Sequence, residues 1–398
     1  MKEETTGKLR VMVISIGPPQ NNHGVRIVLF RHLVARDPFE IFVATNARDF
    51  DESVPFTYIK LPRFIERVVN TRFGGAKLAP LIRDFENFIL SRLPNRSLNK
   101  AVDDFKPDVL LVLADNYLSK MAYRVARKKR LPIAGLFLDW FPIMKGYSGQ
   151  RWTMRFLDKW YRQFYQKCDL AICTSDGMKE ELGDHPNAHV VYPMPGNHQL
   201  PEVVTEVAQS SDKFRLVYVG SVENFYGRMI CSLISRFESV DDLEITVIGP
   251  KADWPEDMLR EAREKNIYLG FKPPEEAASY LASADALLVV MSFEKEYELF
   301  MRTSFTTKFL DYVAYGKPVI LWGPEYCTPS RVVRDKCGAL CVTEDKPELI
   351  VSACQKLSSD VETYAELSDG ARILHETLFN PDRLQSVFVS EIEKLVEK

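Results

Sequence analysis

The sequence lacks the segments and motifs that mark several large classes of protein. No apolar run approaches the roughly 18 residues that a membrane-spanning helix needs; the best are VLLVLA from Val109 and ADALLVVM from Ala284. The first residues are acidic before they are basic and lead into a strand-like run, so we expect no secretory signal. Neither GxxxxGK(S/T) nor a GxGxxG after the first predicted strand occurs, which disfavours P-loop NTPases and dinucleotide-dependent oxidoreductases.

Cysteine is scarce and poorly placed for metal binding. There are seven cysteines and no CxxC pair, and Cys337 with Cys341 has no histidine or second cysteine pair to complete a zinc set. HExxH and DxD-like sets are also missing. The sequence therefore predicts free, mostly buried thiols in a reducing cytoplasm, no metal site and no cofactor.

The net charge is small, but the two signs are unevenly distributed. The chain of 398 residues has a formal net charge of −3. Residues 1–200 hold 30 Lys and Arg against 21 Asp and Glu, a net of +9, whereas the remaining residues hold 22 against 34, a net of −12. At roughly 100–200 residues per domain, this division predicts two domains of different electrostatic character.

Short apolar runs alternate with amphipathic stretches, which is typical of βαβ units and a parallel sheet. The strand candidates are RVMVISIG, FEIFVATN, FTYIKL, DVLLVLAD, PIAGLFLD, LAICTS and HVVYPM, then FRLVYVGS, LEITVIGP, IYLGFK, ALLVVMS, PVILWG and ALCVTE. We expect an α/β protein with two doubly wound Rossmann-like domains, 1–198 and 214–379, joined by a polar linker at 199–213. A final helix at 380–398 could pack back on the first domain, and ligands would bind in a cleft outside the strands' carboxyl ends.

The segment Ala284–Gly323 carries the strongest local signal, because a buried strand and a polar loop precede a predicted helix over Phe305–Tyr315. Its polar face would carry Ser304, Lys308, Asp311 and Tyr315, which are spaced by four, three and four residues. The first turn, Ser304–Thr307, favours an anion. Lys308 suits a diphosphate, and Asp311 could hold ribose hydroxyls. A solvated ion pair between Lys308 and Asp311 is the structural alternative.

The run TKFLDYVAYGKPVI resembles the donor-site motif of GT-B glycosyltransferases, in the large, usually retaining family that includes sucrose-, glycogen-synthase-like and mannosyl-type transferases. That motif runs roughly Lys-x-x-Glu-Tyr-x-Ala-x-Gly-x-Pro-Val. Further segments are similar in the family's order: FKPDVLLVLAD and LAICTSDGMKEEL in the first half, and LVYVGS, ITVIGP and YLGFKPPEEAASYLASADALLVV in the second. The resemblance covers nearly the whole chain and implies the GT-B fold with nucleotide-sugar transfer.

The resemblance also implies a donor site in the second domain, where Lys308 contacts the diphosphate and Asp311 replaces the motif's second glutamate at the ribose. The other donor-site candidates are Ser304, Thr306, Thr307, Gly220, Arg228 and Gly249. The sequence departs from the family at the motif's earlier glutamate, whose position holds Thr303, although Glu294, Glu296 and Glu298 lie nearby. It departs again after Gly220, where Ser221 replaces the usual arginine. These departures leave the stereochemistry of transfer open.

The first domain would meet the acceptor. Its GPPQNNHGVR segment resembles the loop that such enzymes close over donor and acceptor, in which Gly24 permits close backbone approach and His23 is an acceptor contact or merely solvated. Asp139, beside Trp140 at the end of a buried strand, could be the base in an inverting displacement, or could cap the next segment. Asp115 is a parallel candidate at the neighbouring strand's end.

The basic excess of the first half lies in Lys60–Lys100, Arg124–Arg130 and Lys145–Lys167. Solvated helix faces would explain these stretches, and we prefer that explanation for Arg124–Arg130. The other two are interleaved with aromatic residues and predict contact with an anionic membrane on its cytoplasmic face, or a phosphate-bearing or lipid-linked acceptor. No nucleic-acid-binding module accompanies the charge, so we expect no nucleic-acid partner.

Together these features predict a metal-independent glycosyltransferase that uses a nucleoside-diphosphate sugar such as a UDP-sugar. The acceptor would be a hydroxyl of a glycan, lipid-linked or small molecule, in the synthesis of a polysaccharide, glycolipid or glycoconjugate. Two alternatives stay open. One is a nucleotide-sugar 2-epimerase of the same fold, which needs no acceptor, and the other is a non-catalytic protein that binds sugar nucleotides or an anionic surface.

Overall fold

The computed structural model describes residues 7–22, 24–63, 75–143, 152–196, 213–334, 336 and 338–397. Within these residues the chain divides into two compact units. The first unit comprises Met1–Pro193 together with Asp382–Lys398, and the second comprises Met194–Pro381. The predicted linker lies outside the described residues except for Lys213.

The first unit contains a seven-stranded parallel sheet in the order β3-β2-β1-β4-β5-β6-β7. The strands are β1 Arg10–Ser15, β2 Glu40–Thr45, β3 Thr57–Lys60, β4 Val109–Leu113, β5 Ile133–Phe137, β6 Leu170–Cys173 and β7 Ala188–Val190. The helices are α1 Val25–Leu33, α2 Gly75–Phe88, α3 Arg96–Phe105, α4 Asn116–Lys129, α5 Met154–Lys167 and α6 Asp176–Leu182, with 3₁₀ turns at Leu90–Arg92 and Phe141–Ile143. Every residue of β4 and β5 is buried, as expected for parallel strands covered on both faces.

The second unit contains a five-stranded parallel sheet in the order β12-β11-β10-β8-β9. The strands are β8 Phe214–Val219, β9 Leu243–Ile248, β10 Ala286–Val290, β11 Val319–Trp322 and β12 Leu340–Val342. The helices are α7 Asn224–Phe237, α8 Glu256–Glu264, α9 Pro274–Ser283, α10 Glu298–Thr303, α11 Thr307–Val313, α12 Thr328–Val333, α13 Pro347–Ser359 and α14 Val361–Glu376, with a 3₁₀ turn at Lys295–Tyr297. The core strands β10 and β11 are entirely buried.

The predicted pair of doubly wound parallel sheets is confirmed, with two differences in the strands. The run IYLGFK is not a strand, because Tyr268 forms only an isolated bridge to Val247 before Gly270 adopts a φ of 70°. The run HVVYPM contributes little to the sheet, since β7 ends at Val190. Pro193, which has no N–H to donate to a ladder, stands near the end of that run.

Four helices were not apparent from the sequence pattern: α3, α6, α10 and α12. Two of them carry capping signals that would have revealed them. The Asn95 side chain accepts a hydrogen bond from the Leu98 N–H at 2.8 Å, and the Ser175 hydroxyl accepts one from the Met178 N–H at 3.0 Å. Helices α10 and α12 have six residues each, too few to show a helical period.

The last helix of the chain, α15 Pro381–Val396, packs against α1 of the first unit. The Gln385 amide donates to the His32 carbonyl at 3.0 Å, and its oxygen lies 2.9 Å from His32 Nδ1. The Phe388 ring stacks on the His32 ring with centroids 4.4 Å apart, and Asp382 pairs with Arg36 at 2.6 Å. Among the described residues, no helix combines the length and apolarity that crossing a bilayer requires.

We expect His32 to make the first unit sensitive to acid. Desolvation by burial lowers the pKa of His32 from 6.5 to about 4, against a smaller opposing effect of the Gln385 hydrogen bond. Between these values the unfolded chain binds a proton that the folded chain does not, so stability is present above pH 6.5 and is lost as the pH falls towards 4. The loss through this residue should reach about 3 kcal/mol.

Chemical denaturation at a series of pH values measures this effect. The His32→Gln variant should show a shallower fall in the free energy of unfolding of the first unit between pH 6.5 and 4. Parallel pH profiles for the two proteins would contradict the assignment.

Candidate functional site

In the second unit, Lys308 lies at the carboxyl end of β8. Its Nζ donates a hydrogen bond to the Tyr218 hydroxyl at 3.1 Å. The same ammonium lies 5.0 Å from the centroid of the Tyr218 ring and 4.1 Å from that of Tyr226. Both distances fall within the range of cation–π attraction. The lysine that the sequence singled out is therefore held between two aromatic rings, at the edge of the sheet where ligands of such folds bind.

Two glycines make room for this arrangement. A Cβ on Gly220 would stand 2.0 Å from Lys308 Cε and 2.5 Å from its Nζ. A Cβ on Gly249, at the end of the neighbouring strand β9, would stand 2.1 Å from the Gly220 carbonyl oxygen. These residues therefore stack in van der Waals contact in the order Gly249, Gly220 and Lys308. A side chain at Gly249 would displace Gly220, and a side chain at Gly220 would displace Lys308.

The Lys308 ammonium has no carboxylate to balance it among the residues that the structure describes. Desolvation by burial alone lowers its pKa from 10.5 to about 7. The alternative interpretation of an ion pair with Asp311 is therefore wrong. Buried charges in proteins are normally paired, so within the part of the chain that the structure describes this lysine departs from the usual pattern.

Tyr312 fixes the position of the lysine. On α11, one turn beyond Lys308, its hydroxyl accepts a hydrogen bond from the Val219 N–H at 2.8 Å and donates one to the Val219 carbonyl at 2.9 Å. The side chain is buried and joins the helix to the last residue of β8. Sequence reasoning missed this role, although a tyrosine in the motif could have signalled a buried ring with a polar end.

The residues before Lys308 differ from the prediction. Helix α11 begins at Thr307, and α10 ends at Thr303, so Ser304 is extended, with φ −82° and ψ 145°, rather than part of a first helical turn. Thr306 occupies the N-cap position but makes no side-chain capping bond. Ser304 is buried, and its hydroxyl finds no hydrogen-bond partner among the described residues. The predicted helix face is thus reduced to Lys308 and Asp311.

Two further donor-site candidates, Asp311 and Arg228, already have protein partners. Asp311 Oδ1 accepts a hydrogen bond from the Gly196 N–H at 2.8 Å. The Arg228 guanidinium, which is largely exposed, pairs with Glu294, and its Nε lies 3.0 Å from a Glu294 oxygen. Thr303, at the position of the motif's earlier glutamate, is fully buried and bonds the Leu299 carbonyl at 2.7 Å. Of the nearby glutamates, Glu294 pairs with Arg228 and Glu298 pairs with Arg302.

In the first unit, the candidate Asp115 is strongly perturbed by burial. It stands at the N-cap of α4 directly after β4, is 5% exposed, and forms no side-chain capping bond. Neither carboxyl oxygen has a well-formed hydrogen bond to the described residues, and desolvation raises the pKa of this group well above its usual value. Nearby backbone N–H groups of Asp115 and Ile16 offset the shift only in part. Burial thus favours the protonated acid.

Asp139 lies two residues beyond β5 and is half-buried. Its carbonyl accepts hydrogen bonds from the Phe141 N–H at 2.9 Å and from the Tyr161 hydroxyl at 3.0 Å, which fix the backbone at the strand end. The neighbouring Trp140 indole turns away to Asp158 at 2.8 Å. The first-unit sheet thus presents two acidic residues, Asp115 and Asp139, after the adjacent strands β4 and β5.

The first turn of α1 contains a residue that sequence reasoning missed. Arg26 is buried and packs over Gly17, where a Cβ would stand 2.7 Å from Arg26 Cγ. Its guanidinium donates to the Asp49 carbonyl at 2.8 Å and to the Asp49 carboxylate at 3.0 Å. Gly24 has a φ of 56° and open space at its Cβ position, so the backbone conformation is what requires glycine here. His23 lies outside the described residues.

Two family models match the chain. The model described as Glycosyltransferase Family 4 matches residues 27–194, and the model described as Glycosyl transferases group 1 matches residues 213–360. The chain is a GT-B glycosyltransferase. The predicted family resemblance and the prediction of sugar transfer are confirmed, and the epimerase alternative is less well supported.

Solved structures share the fold of this glycosyltransferase at low sequence identity. Sucrose-phosphate synthase from Thermosynechococcus elongatus is 14% identical with a TM-score of 0.65, over 98% of this chain and 99% of its own. Anabaena HepE, solved in complex with UDP-glucose, is 12% identical with a TM-score of 0.66, over 98% of this chain and 100% of its own. A Listeria monocytogenes protein described as a UDP-N-acetylglucosamine 2-epimerase is 13% identical with a TM-score of 0.56, over 98% of this chain and 97% of its own. No curated protein sequence matches the chain.

We expect the amine of Lys308 to titrate near neutral pH in the glycosyltransferase without ligand. Because its pKa is lowered to about 7, the neutral, nucleophilic form should dominate by pH 8. Competitive acylation followed by peptide mass spectrometry should show a midpoint near pH 7 for this residue. In the urea-denatured chain the midpoint should return towards the ordinary lysine value of about 10.4. A midpoint in the folded protein that matches the denatured one would contradict the desolvation.

Proposed function

We propose that this glycosyltransferase uses a nucleoside-diphosphate sugar, with uridine as the favoured base, and that the second unit binds it. The observation that carries the proposal is the Lys308 ammonium, which is desolvated, flanked by Tyr218 and Tyr226, and without a carboxylate partner among the described residues. A diphosphate would supply the missing negative charge. The complex of the structurally similar HepE with UDP-glucose supports the choice of base.

We propose that Lys308 stabilises the diphosphate as it leaves. Negative charge grows on the leaving oxygen when the bond to the anomeric carbon breaks, and a fixed cation at that point lowers the barrier. The stack of Gly249, Gly220 and Lys308 would hold the ammonium in place. Asp311 would bind the ribose hydroxyls after giving up its bond to the Gly196 N–H, and Ser304, Thr306, Thr307 and Arg228 would complete the donor site.

We propose that the first unit prepares the acceptor hydroxyl. Asp139 would accept the hydroxyl proton as the oxygen attacks the anomeric carbon and the bond to the diphosphate breaks, which corresponds to inversion. Asp115 would orient the acceptor. Its burial favours the neutral acid, which both donates and accepts a hydrogen bond, whereas a general base must be ionised.

We propose that the products are polysaccharides, glycolipids or glycoconjugates and that the reaction needs no metal or cofactor. The acceptor would be a glycan, lipid-linked or small molecule. The net charge of +9 over residues 1–200 supports an acceptor that carries phosphate.

Replacement of Lys308 tests the donor site. Lys308→Met keeps the aliphatic stem but removes the charge, so nucleotide-sugar affinity should fall by about 10- to 100-fold, as expected for loss of a charge-assisted contact. In the native protein the affinity should also fall by up to about tenfold per pH unit above pH 7, because the free amine must take up a proton when it binds the diphosphate. Isothermal calorimetry with UDP-glucose measures both effects.

The exposed Lys356→Met provides the matched control and should bind like the native protein. Affinity that is unchanged in Lys308→Met, or that keeps its pH dependence there, would exclude Lys308 as the diphosphate contact.

Substitution of each carboxyl group by an amide distinguishes the proposed roles of Asp139 and Asp115. Asp139→Asn should lower kcat by about 10²- to 10⁴-fold, the usual contribution of a general base. Asp115→Asn retains a donor and an acceptor, so it should keep kcat within about tenfold of the native value. Rates come from product formation with a competent donor and acceptor, and NMR of the product gives its anomeric configuration. Equal losses in the two variants, or a larger loss in Asp115→Asn, would reverse the roles.

A further inference from the structure

Helix α2 and the turn after it carry a stripe of exposed apolar side chains. Leu78, Leu81, Phe85 and Ile89 are spaced by three, four and four residues, so they lie along one face. Each of them is between 42% and 51% exposed. A contiguous apolar face of this kind is uncommon on soluble proteins and usually marks a surface of interaction. We call these four residues the apolar stripe.

Helix α5 extends the apolar surface. Phe156 is 42% exposed, and its ring packs edge-on against Phe88 with centroids 6.3 Å apart. Trp152, just before the helix, is 62% exposed. An open cavity of about 920 Å³ lies among residues of α2, α4 and α5, with Leu81, Phe88 and Trp160 in its walls. The surface is thus concave and apolar, with aromatic side chains on its border.

Five cations surround this cavity: Arg92, Lys120, Arg124, Lys159 and Lys167. We call them the cationic rim. All but Lys120 are exposed. Lys120 Nζ bonds the Asn87 carbonyl at 3.0 Å and lies 4.7 Å from the centroid of the Phe88 ring. Asp84 is the sole carboxylate among the described residues that line the cavity, and it already accepts a hydrogen bond from Thr153 at 2.7 Å.

We propose that the apolar stripe and the cationic rim dock the first unit on an anionic lipid bilayer. The stripe would enter the boundary between headgroups and acyl chains, and the rim would contact lipid phosphates. We choose an anionic partner because of charge complementarity. The described residues that line the cavity include five cations but a single carboxylate, which is already hydrogen-bonded. A second copy of this chain is disfavoured, since it would bring two cationic rims together.

This docking does not depend on the proposed catalytic function. The stripe lies on α2 and in the turn after it, whereas Asp115 and Asp139 follow β4 and β5 of the same unit. Binding to vesicles therefore reports the surface, and nucleotide-sugar binding by calorimetry reports the donor site. Either property can fail without the other.

Vesicle flotation tests the proposal. The full-length protein is mixed with vesicles of equimolar phosphatidylglycerol and phosphatidylcholine, or of phosphatidylcholine alone, at low salt. We expect flotation with the anionic vesicles and little with the neutral ones. Raising the salt to about 1 M, where the Debye length is about 3 Å, should release most of the bound protein.

Paired substitutions locate the surface. Ile89→Ser should weaken binding to anionic vesicles by roughly tenfold through lost apolar burial, and Lys159→Glu by at least about fivefold through charge. The matched controls are Ile373→Ser and Lys356→Glu, which alter an exposed isoleucine and an exposed lysine on helices of the second unit. The controls should float like the native protein. Circular dichroism and thermal unfolding establish that every variant is folded.

Three results would overturn the proposal. The first is no flotation with anionic vesicles at low salt. The second is equal losses in the paired variants and their controls, which would place the contact elsewhere. The third is a concentration-dependent dimer, seen by analytical ultracentrifugation, that Ile89→Ser dissociates, since the stripe would then be a contact between copies of the chain.

Discussion

An ammonium group that is withdrawn from water, and that has no carboxylate partner among the described residues, constrains the arrangement of the second unit. Lys308 can occupy its position because Gly220 has no side chain, and Gly220 can occupy its own because Gly249 has none. The hydroxyl of Tyr312 then joins the helix that carries the lysine to the last residue of β8. Desolvation of a cation is costly, so burial at this position favours the neutral amine of Lys308.

The first unit places an opposite kind of group after one of its strands. Asp115 is desolvated as Lys308 is, but its burial favours the neutral acid rather than the neutral amine. Both groups thus tend towards their uncharged forms without substrate. In the proposed function, a ligand would restore charge to Lys308 and add hydrogen bonds to Asp115.

The sequence predicts the fold well because buried parallel strands have a strong signature. Runs such as those of β4 and β10 are apolar throughout, and their alternation with amphipathic stretches determines the two sheets. The cluster at the carboxyl end of β8 is predicted in part, since the motif singles out Lys308 and the resemblance singles out Gly220 and Gly249, which pack together there; their role in binding a donor stays a prediction. The start of α11 is predicted wrongly, because propensity over Ser304–Thr307 does not reveal that α10 occupies the chain up to Thr303. Contacts distant in sequence, such as Tyr312 with Val219 or Arg26 with Asp49, leave no local pattern.

The return of α15 to the first unit has a consequence for synthesis of the chain. The surface of α1 that holds His32 is covered by Gln385 and Phe388, which emerge from the ribosome after the whole second unit. At about 5–20 residues per second, the first unit waits on the order of ten seconds or more with that face open to solvent. During this interval the nascent sheet must stay soluble without its last helix. Synthesis of helix α15 therefore determines when the first unit can be completed.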